Sequence, residues 1–190
     1  MPYARNVEIF GEDEPAEYVY QVVRGAVRTY KLLSDGRRQI GAFYLPGDVF
    51  GLEAGAQHRL TAEAVSDSSV LVMKRSAVIA LAGRDANLAQ ELWALTAREL
   101  EQVQGLMLML GRKTAQERVA GFLLEMAARG RDTQTVELPM SRQDIADYLG
   151  LTIETVSRTI GQLEETSAIA LPNSRRVVLR DRSALARLSG

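Results

Sequence analysis

The 190-residue chain has no cysteine and a single histidine, His58. Without cysteine there can be no disulfide framework, no Cys-ligated iron–sulfur cluster and no thiol switch. One histidine cannot build a His/Cys zinc site, so no metal or other cofactor is expected. No apolar run approaches the length of about 18 residues that a membrane span needs. The N-terminus, Met1-Pro-Tyr-Ala-Arg-Asn6, lacks the apolar core of a signal peptide. The expectation is a cytoplasmic protein that does not enter membranes. A net charge of −1 excludes coating nucleic acid by bulk charge. The pattern holds no nucleophile–histidine pair, P-loop or metal-ligand cluster, which argues against an enzyme.

What is present is an ordinary apolar fraction of 46% and a charged fraction of 25%, enough for one large or two small cores. The charge is uneven. Residues 111–190 carry twelve Lys/Arg against ten Asp/Glu, whereas residues 1–110 carry eleven against fourteen. Arginines placed locally suit a sequence-specific reader better than a coating protein.

The most informative stretch runs from Ser141 to Glu165. Ser141 with Asp144 starts a helix as a capping box, Gly150 sits in a three-residue turn, and Thr152 caps a second helix. Ile145, Ala146, Leu149, Val156, Ile160 and Leu163 face inward, with Leu151 closing the turn. Glu154, Ser157 and Arg158, at i, i+3 and i+4, then share the outer face. On an arbitrary helix Glu154 and Arg158 would be a solvated ion pair worth about 0.3–0.5 kcal/mol. Behind a helix-turn-helix, the same face presents a carboxylate, a hydroxyl and a guanidinium fork to base edges in the major groove. Double-stranded DNA is the expected partner.

Residues 7–75 read as short strands separated by turns, among them Ser34-Asp35-Gly36 and Pro46-Gly47-Asp48, which suggests a jelly-roll-like β domain. A helix over 85–110, about 26 residues and roughly 39 Å long, follows. Trp93, Thr96, Leu100, Val103, Met107 and Leu110 step by three and four along it, as a seam for a second subunit. Leu88, Leu92, Leu95, Leu106 and Met109 form a second stripe that can cover the β domain. The alternative is one helix buried on two sides of a monomer. Thr114 and Glu117 start a further helix as a capping box, and Gly130 ends it. Thr135–Leu138 is a candidate strand. Ala168–Leu171 and Arg176–Leu179 form a hairpin, making a winged helix with Arg175 and Arg176 at the tip, placed for phosphates. The expected fold is α+β: a β-roll over 1–83, a dimerisation helix over 84–112 and a winged helix-turn-helix over 113–190.

This order, with Tyr44-Leu-Pro-Gly-Asp-Val-Phe-Gly51 and Glu154-Thr-Val-Ser-Arg158, resembles the Crp/Fnr superfamily of bacterial transcription regulators. Val22-Val-Arg-Gly25, Tyr30–Ile40, Phe50-Gly-Leu-Glu53 and His58–Glu63 are most similar to its FixK branch. That branch implies a homodimeric activator of genes for microaerobic respiration, denitrification or nitrogen fixation, with RNA polymerase as a partner. The resemblance implies base contacts from Ile153, Glu154, Ser157 and Arg158 in a TTGAT-like half-site. It also implies phosphate contacts from Ser141, Arg142, Thr152, Thr155, Arg175 and Arg176. Cyclic-nucleotide-binding relatives carry Gly-Glu-Leu and then Arg-Ser or Arg-Thr. Here Glu53 and Thr61 are each displaced by one place, and Leu60 follows Arg59. A one-residue slip on a strand turns a side chain to the opposite face, so Glu53, Arg59 and Thr61 are read as a vestigial pocket. His58, beside an arginine in an expected loop, is read as a solvated surface residue. The start near the first strand suggests that a sensing extension of relatives is missing. The competing functions are a regulator gated by an effector in the β-roll and a regulatory module controlling an enzyme.

Overall fold

The computed structural model describes residues 1–130 and 132–190. Two compact units, Met1–Gly105 and Leu106–Gly190, divide inside the long helix and not at either of its ends. The first unit holds β1 (Pro2–Tyr3), β2 (Glu8–Phe10), β3 (Tyr18–Arg24), β4 (Val27–Leu32), β5 (Arg38–Tyr44), β6 (Val49–Phe50), β7 (Thr61–Ala64), β8 (Ser68–Lys74), α1 (Arg75–Ala82) and most of α2 (Ala86–Arg112). Two antiparallel four-stranded sheets form, in the orders β1-β8-β3-β6 and β2-β7-β4-β5. Phe10, Val27, Tyr44 and Ala62 from one sheet meet Tyr20, Val22, Phe50 and Val70 from the other in a single apolar cluster. Strand alternation puts Ala62 and Ala64 of β7 inside and turns Thr61 and Glu63 outward. The jelly-roll-like β domain is as expected.

Within the second sheet, Arg28 lies opposite Glu63 and pairs with it where both are largely buried, and the Tyr30 hydroxyl donates to the same carboxylate at 3.1 Å. Gly36, at φ 83°, closes the β4–β5 turn by donating to Leu33 O. Gly51, at φ 78°, is required twice over. Its backbone is left-handed, and a Cβ there would lie 2.9 Å from the Tyr20 ring.

The second unit holds the end of α2, then α3 (Ala115–Arg129), β9 (Thr135–Glu137), α4 (Arg142–Leu149), α5 (Ile153–Glu165), β10 (Ile169–Asn173), β11 (Arg176–Leu179) and α6 (Arg182–Ser189). Val119, Phe122, Leu123 and Met126 of α3 are buried, as are Ile145, Ala146 and Leu149 of α4 and Val156, Ile160 and Leu163 of α5. The hairpin β10–β11 joins β9 in a three-stranded antiparallel sheet. Pro172 lacks a donor and sits on edge strand β10, inside the register shift between Ala170 and Asn173. Two helices escaped the reading of the sequence, α1 and α6. The latter is capped by the Asp181 side chain accepting from Ala184 N, and it is anchored by buried Leu185. Among the described residues no helix is long and apolar enough to cross a membrane.

Candidate nucleic-acid interface

The helix-turn-helix elements are built by local chemistry. The Ser141 hydroxyl accepts from Asp144 N, and the Asp144 carboxylate accepts from Ser141 N at 3.0 Å and from its hydroxyl at 2.8 Å. This is the expected capping box, and it leaves α4 with a defined start. Gly150 ends α4 in the left-handed region, at φ 61°, and reverses the chain within the turn. The Thr152 hydroxyl accepts from Thr155 N at 3.2 Å and starts α5. Since Ser141 spends its hydroxyl on the cap both as donor and as acceptor, a phosphate at that helix start would be met by backbone N–H groups.

On α5 the structure brings Glu154, Ser157 and Arg158 together on an exposed face, with Ile153 partly exposed at its start. Thr155 is half-buried. The Glu154 carboxyl is held below the usual carboxylate range, first by its own backbone N–H and then by the Thr152 hydroxyl. It is therefore an ionised acceptor at neutral pH. Arg142, expected as a phosphate contact, is half-buried. Burial lowers its pKa, and its Nη1 is shut off from solvent with no hydrogen-bond partner among the described residues. At the wing, Asn173 Oδ1 accepts from Arg175 N and shapes the tip, leaving Arg175 exposed. Arg176 instead reaches back across the sheet to Glu137, Nε to Oε1 at 3.3 Å.

The residues expected as a vestigial pocket separate. A cavity of about 780 Å³ in the first unit is lined by Glu53 and Arg59, together with Phe10, Lys31, Tyr44 and His58 among others. Glu53 follows β6 in irregular backbone, so the strand rule does not turn it away. Its Oε1 accepts from Arg59 N at 3.3 Å. Thr61 leaves the site, its hydroxyl accepting from Glu12 N at 3.1 Å. His58 corrects the sequence reading outright. It is not solvated: the residue is 1% exposed, its ring stacks on Phe10, and Nδ1 lies 3.6 Å from Glu53 Oε1. The loop is pinned from both sides, His58 N donating to Glu14 O and Asp13 N to His58 O. Nothing in the local sequence marks that long-range pairing.

Comparison with known proteins decides the family. Residues 117–188 match the Crp-like helix-turn-helix domain and residues 1–85 the cyclic nucleotide-binding domain. The nitrogen fixation regulation protein FixK of Azorhizobium caulinodans is 60% identical, over 98% of this chain and 77% of that protein. The chain belongs to the FixK branch of the Crp/Fnr superfamily. It is a DNA-binding transcription regulator. FixK of Rhizobium meliloti is 43% identical over 96% of this chain and 83% of its own length. The solved structure of FixK2 from Bradyrhizobium japonicum superposes on this FixK-type chain with a TM-score of 0.96 at 59% identity. That match covers 100% of this chain and 96% of the other.

Proposed function

We propose that this FixK-type chain is a homodimeric activator whose two α5 helices read a TTGAT-like palindrome without a cyclic nucleotide. The observation that carries this is the capped α5 helix presenting Glu154, Ser157 and Arg158 on one exposed face beside Ile153. In this reading Arg158 pairs with guanine, Glu154 accepts from cytosine N4, and Ser157 and Ile153 meet thymine. Arg142, Arg175 and the N-termini of α4 and α5 hold phosphates, with Ser141, Thr152 and Thr155 at those helix starts and Arg176 shared with Glu137.

Dimerisation through α2 is supported by what that helix leaves uncovered. Among the described residues none of α2 is buried, and Trp93, Val103 and Met107 are 77%, 55% and 65% exposed. Leu100 is also exposed and Leu110 half-buried. A contiguous apolar stripe of this kind needs a covering surface, and a second copy of α2 matches it in period and length. The complementary stripe, Leu88, Leu92 and Leu95, is half-buried.

Independence from cyclic nucleotides is supported by charge. The cavity is lined by Glu12, Asp13, Glu53 and Glu99 against Lys31 and Arg59, and Lys31 is already paired with Glu12. A cyclic phosphate would meet more carboxylates than cations. We read RNA polymerase as a further partner, the cytoplasm as the place of action and nitrogen or microaerobic genes as the targets, a reading supported by the nitrogen fixation regulators among the relatives. The second reading, a neutral effector in the β-roll, is favoured by the cavity itself and by His58, neither of whose ring nitrogens has a hydrogen-bond partner among the described residues. Selection of bound DNA from a random pool, with no effector added and again with cyclic AMP, tests the proposal, and failure to recover a site in either arm would favour the neutral effector. A palindrome recovered equally in both arms supports the proposal, and a site recovered only with cyclic AMP overturns it.

A further inference from the structure

Arg118, near the start of α3, donates from each of its three guanidinium nitrogens to a backbone carbonyl. Nη2 donates to Leu110 O at 2.9 Å, Nε to Lys113 O at 2.9 Å, and Nη1 to Leu149 O at 2.8 Å. Leu110 lies in the last turn of α2, Lys113 just beyond it, and Leu149 is the last residue of α4. Helix C-termini leave carbonyls without intrahelical partners and carry partial negative charge, so a fixed fork of cationic donors suits them. The junction is close-packed at the same point. A Cβ on Gly150 would lie 3.3 Å from Leu110 Cδ2 and 3.5 Å from Arg118 Nη1. The turn of the helix-turn-helix is thus tied to the end of the long helix through one side chain, and α5 begins three residues beyond that turn's glycine.

We infer that Arg118 is a positioning residue that sets the half-site spacing the regulator accepts, by fixing the DNA-reading helices to the last turn of α2. This rests on the proposal that α2 forms the dimer. If α2 carries the two-fold axis, the angle at the α2–α4 junction decides how far apart the two α5 helices stand. A loosened junction then leaves each half-site read as before but tolerates altered spacing. Arg118 touches neither base nor partner subunit in this scheme and acts through Leu110, Lys113 and Leu149.

The test uses the full chain and operators with identical half-sites whose centres are moved apart or together by one base pair. The wild type should prefer one spacing by about tenfold, equivalent to about 1.4 kcal/mol. Arg118→Lys, a point donor that cannot bridge three carbonyls, should bring that preference to within about twofold. Selected half-site sequence and dimer mass should stay unchanged. Arg118→Gln is the second variant should the first fail to melt cooperatively. Because the chain lacks cysteine, Gln162→Cys accepts one spin label per protomer, and the label–label distance distribution should be narrow in the wild type and broad with Arg118→Lys. The inference is overturned if the variants weaken all spacings alike, keep the wild-type preference or change the half-site sequence. A wild-type distribution already as broad as the variant's also overturns it. A wild type that is monomeric by light scattering and indifferent to spacing brings down the dimer reading itself, a result separable from a spacing-selective dimer unaffected by Arg118→Lys.

Discussion

The His58 imidazole lies flat against the Phe10 ring, centroids 3.5 Å apart and planes 11° from parallel. Burial holds its pKa below the usual value, outweighing the pull of Glu53 and Glu14 in the other direction. The unfolded chain therefore takes up a proton at a pH where the folded chain does not. The stability linked to this group is complete above the unfolded pKa of about 6.5 and is lost as pH falls towards the folded value.

His58→Phe keeps an aromatic ring against Phe10 and removes the titration. Its melting temperature should fall less than that of the wild type between pH 7.5 and pH 5.5. Parallel melting curves across that range would show that His58 is not the group responsible.

That histidine marks where the sequence stops being legible. Capping boxes, the glycine turn and the inward residues of α4 and α5 depend on neighbours within about one helical turn, and each is readable at Ser141, Thr152, Gly150, Val156 and Leu163. The burial of His58 depends on Glu14 and Phe10, more than 40 positions away, and the exit of Thr61 towards Glu12 on a contact 49 positions away. No local period encodes such pairings. The helix α6 did carry a signal, Asp181 three residues before Ala184 and four before buried Leu185, but eight residues are too few for a convincing period. At the wing, Arg175 and Arg176 look equivalent as a dipeptide. Only the strand register, which sets Arg176 opposite Glu137, tells them apart.

The pair Arg28–Glu63, with side-chain exposures of 7% and 14%, yields a prediction from burial. Glu63→Ala removes the carboxylate that pairs with the buried Arg28 guanidinium and accepts from the Tyr30 hydroxyl, leaving the Asn6 amide oxygen, neutral and 3.5 Å from Arg28 Nη2, in no position to balance the charge, and should destabilise the first unit by about 3–5 kcal/mol. Replacing both partners, as Arg28→Met with Glu63→Leu, should cost much less, since no unpaired charge remains. Urea titration of the three proteins decides it, and a double variant as unstable as Glu63→Ala would show that the pair contributes more than charge compensation.

Val103→Glu places a carboxylate in the proposed α2 seam, where a second copy would bury it. Light scattering should report monomers, and binding to a two-half-site operator should be lost, whereas a control such as Gln104→Glu on the same helix should remain dimeric. A Val103→Glu protein that stays dimeric and binds normally would place the interface elsewhere.

The reading face and the wing should separate cleanly in salt titrations. The proposed dimer places two α5 helices in successive major grooves about 34 Å apart, so the half-site centres should lie roughly 10 bp apart. Arg158→Ala should cost about 1–3 kcal/mol per half-site and relax discrimination at one guanine, because it removes the proposed bidentate base contact. Arg175→Ala should weaken binding to operator and scrambled DNA alike and reduce the salt slope by about one for each phosphate it no longer neutralises. Arg176→Ala should change that slope less than Arg175→Ala, because its guanidinium is already shared with Glu137 at 3.3 Å. Removing the competitor by Glu137→Gln should conversely free Arg176 and strengthen binding to any sequence, most visibly at low salt. Measuring all four variants on both DNAs at several salt concentrations separates these roles. An Arg158→Ala protein that keeps its full guanine preference would remove α5 from the reading face, and equal slopes for the two wing variants would show that Glu137 does not hold Arg176 back.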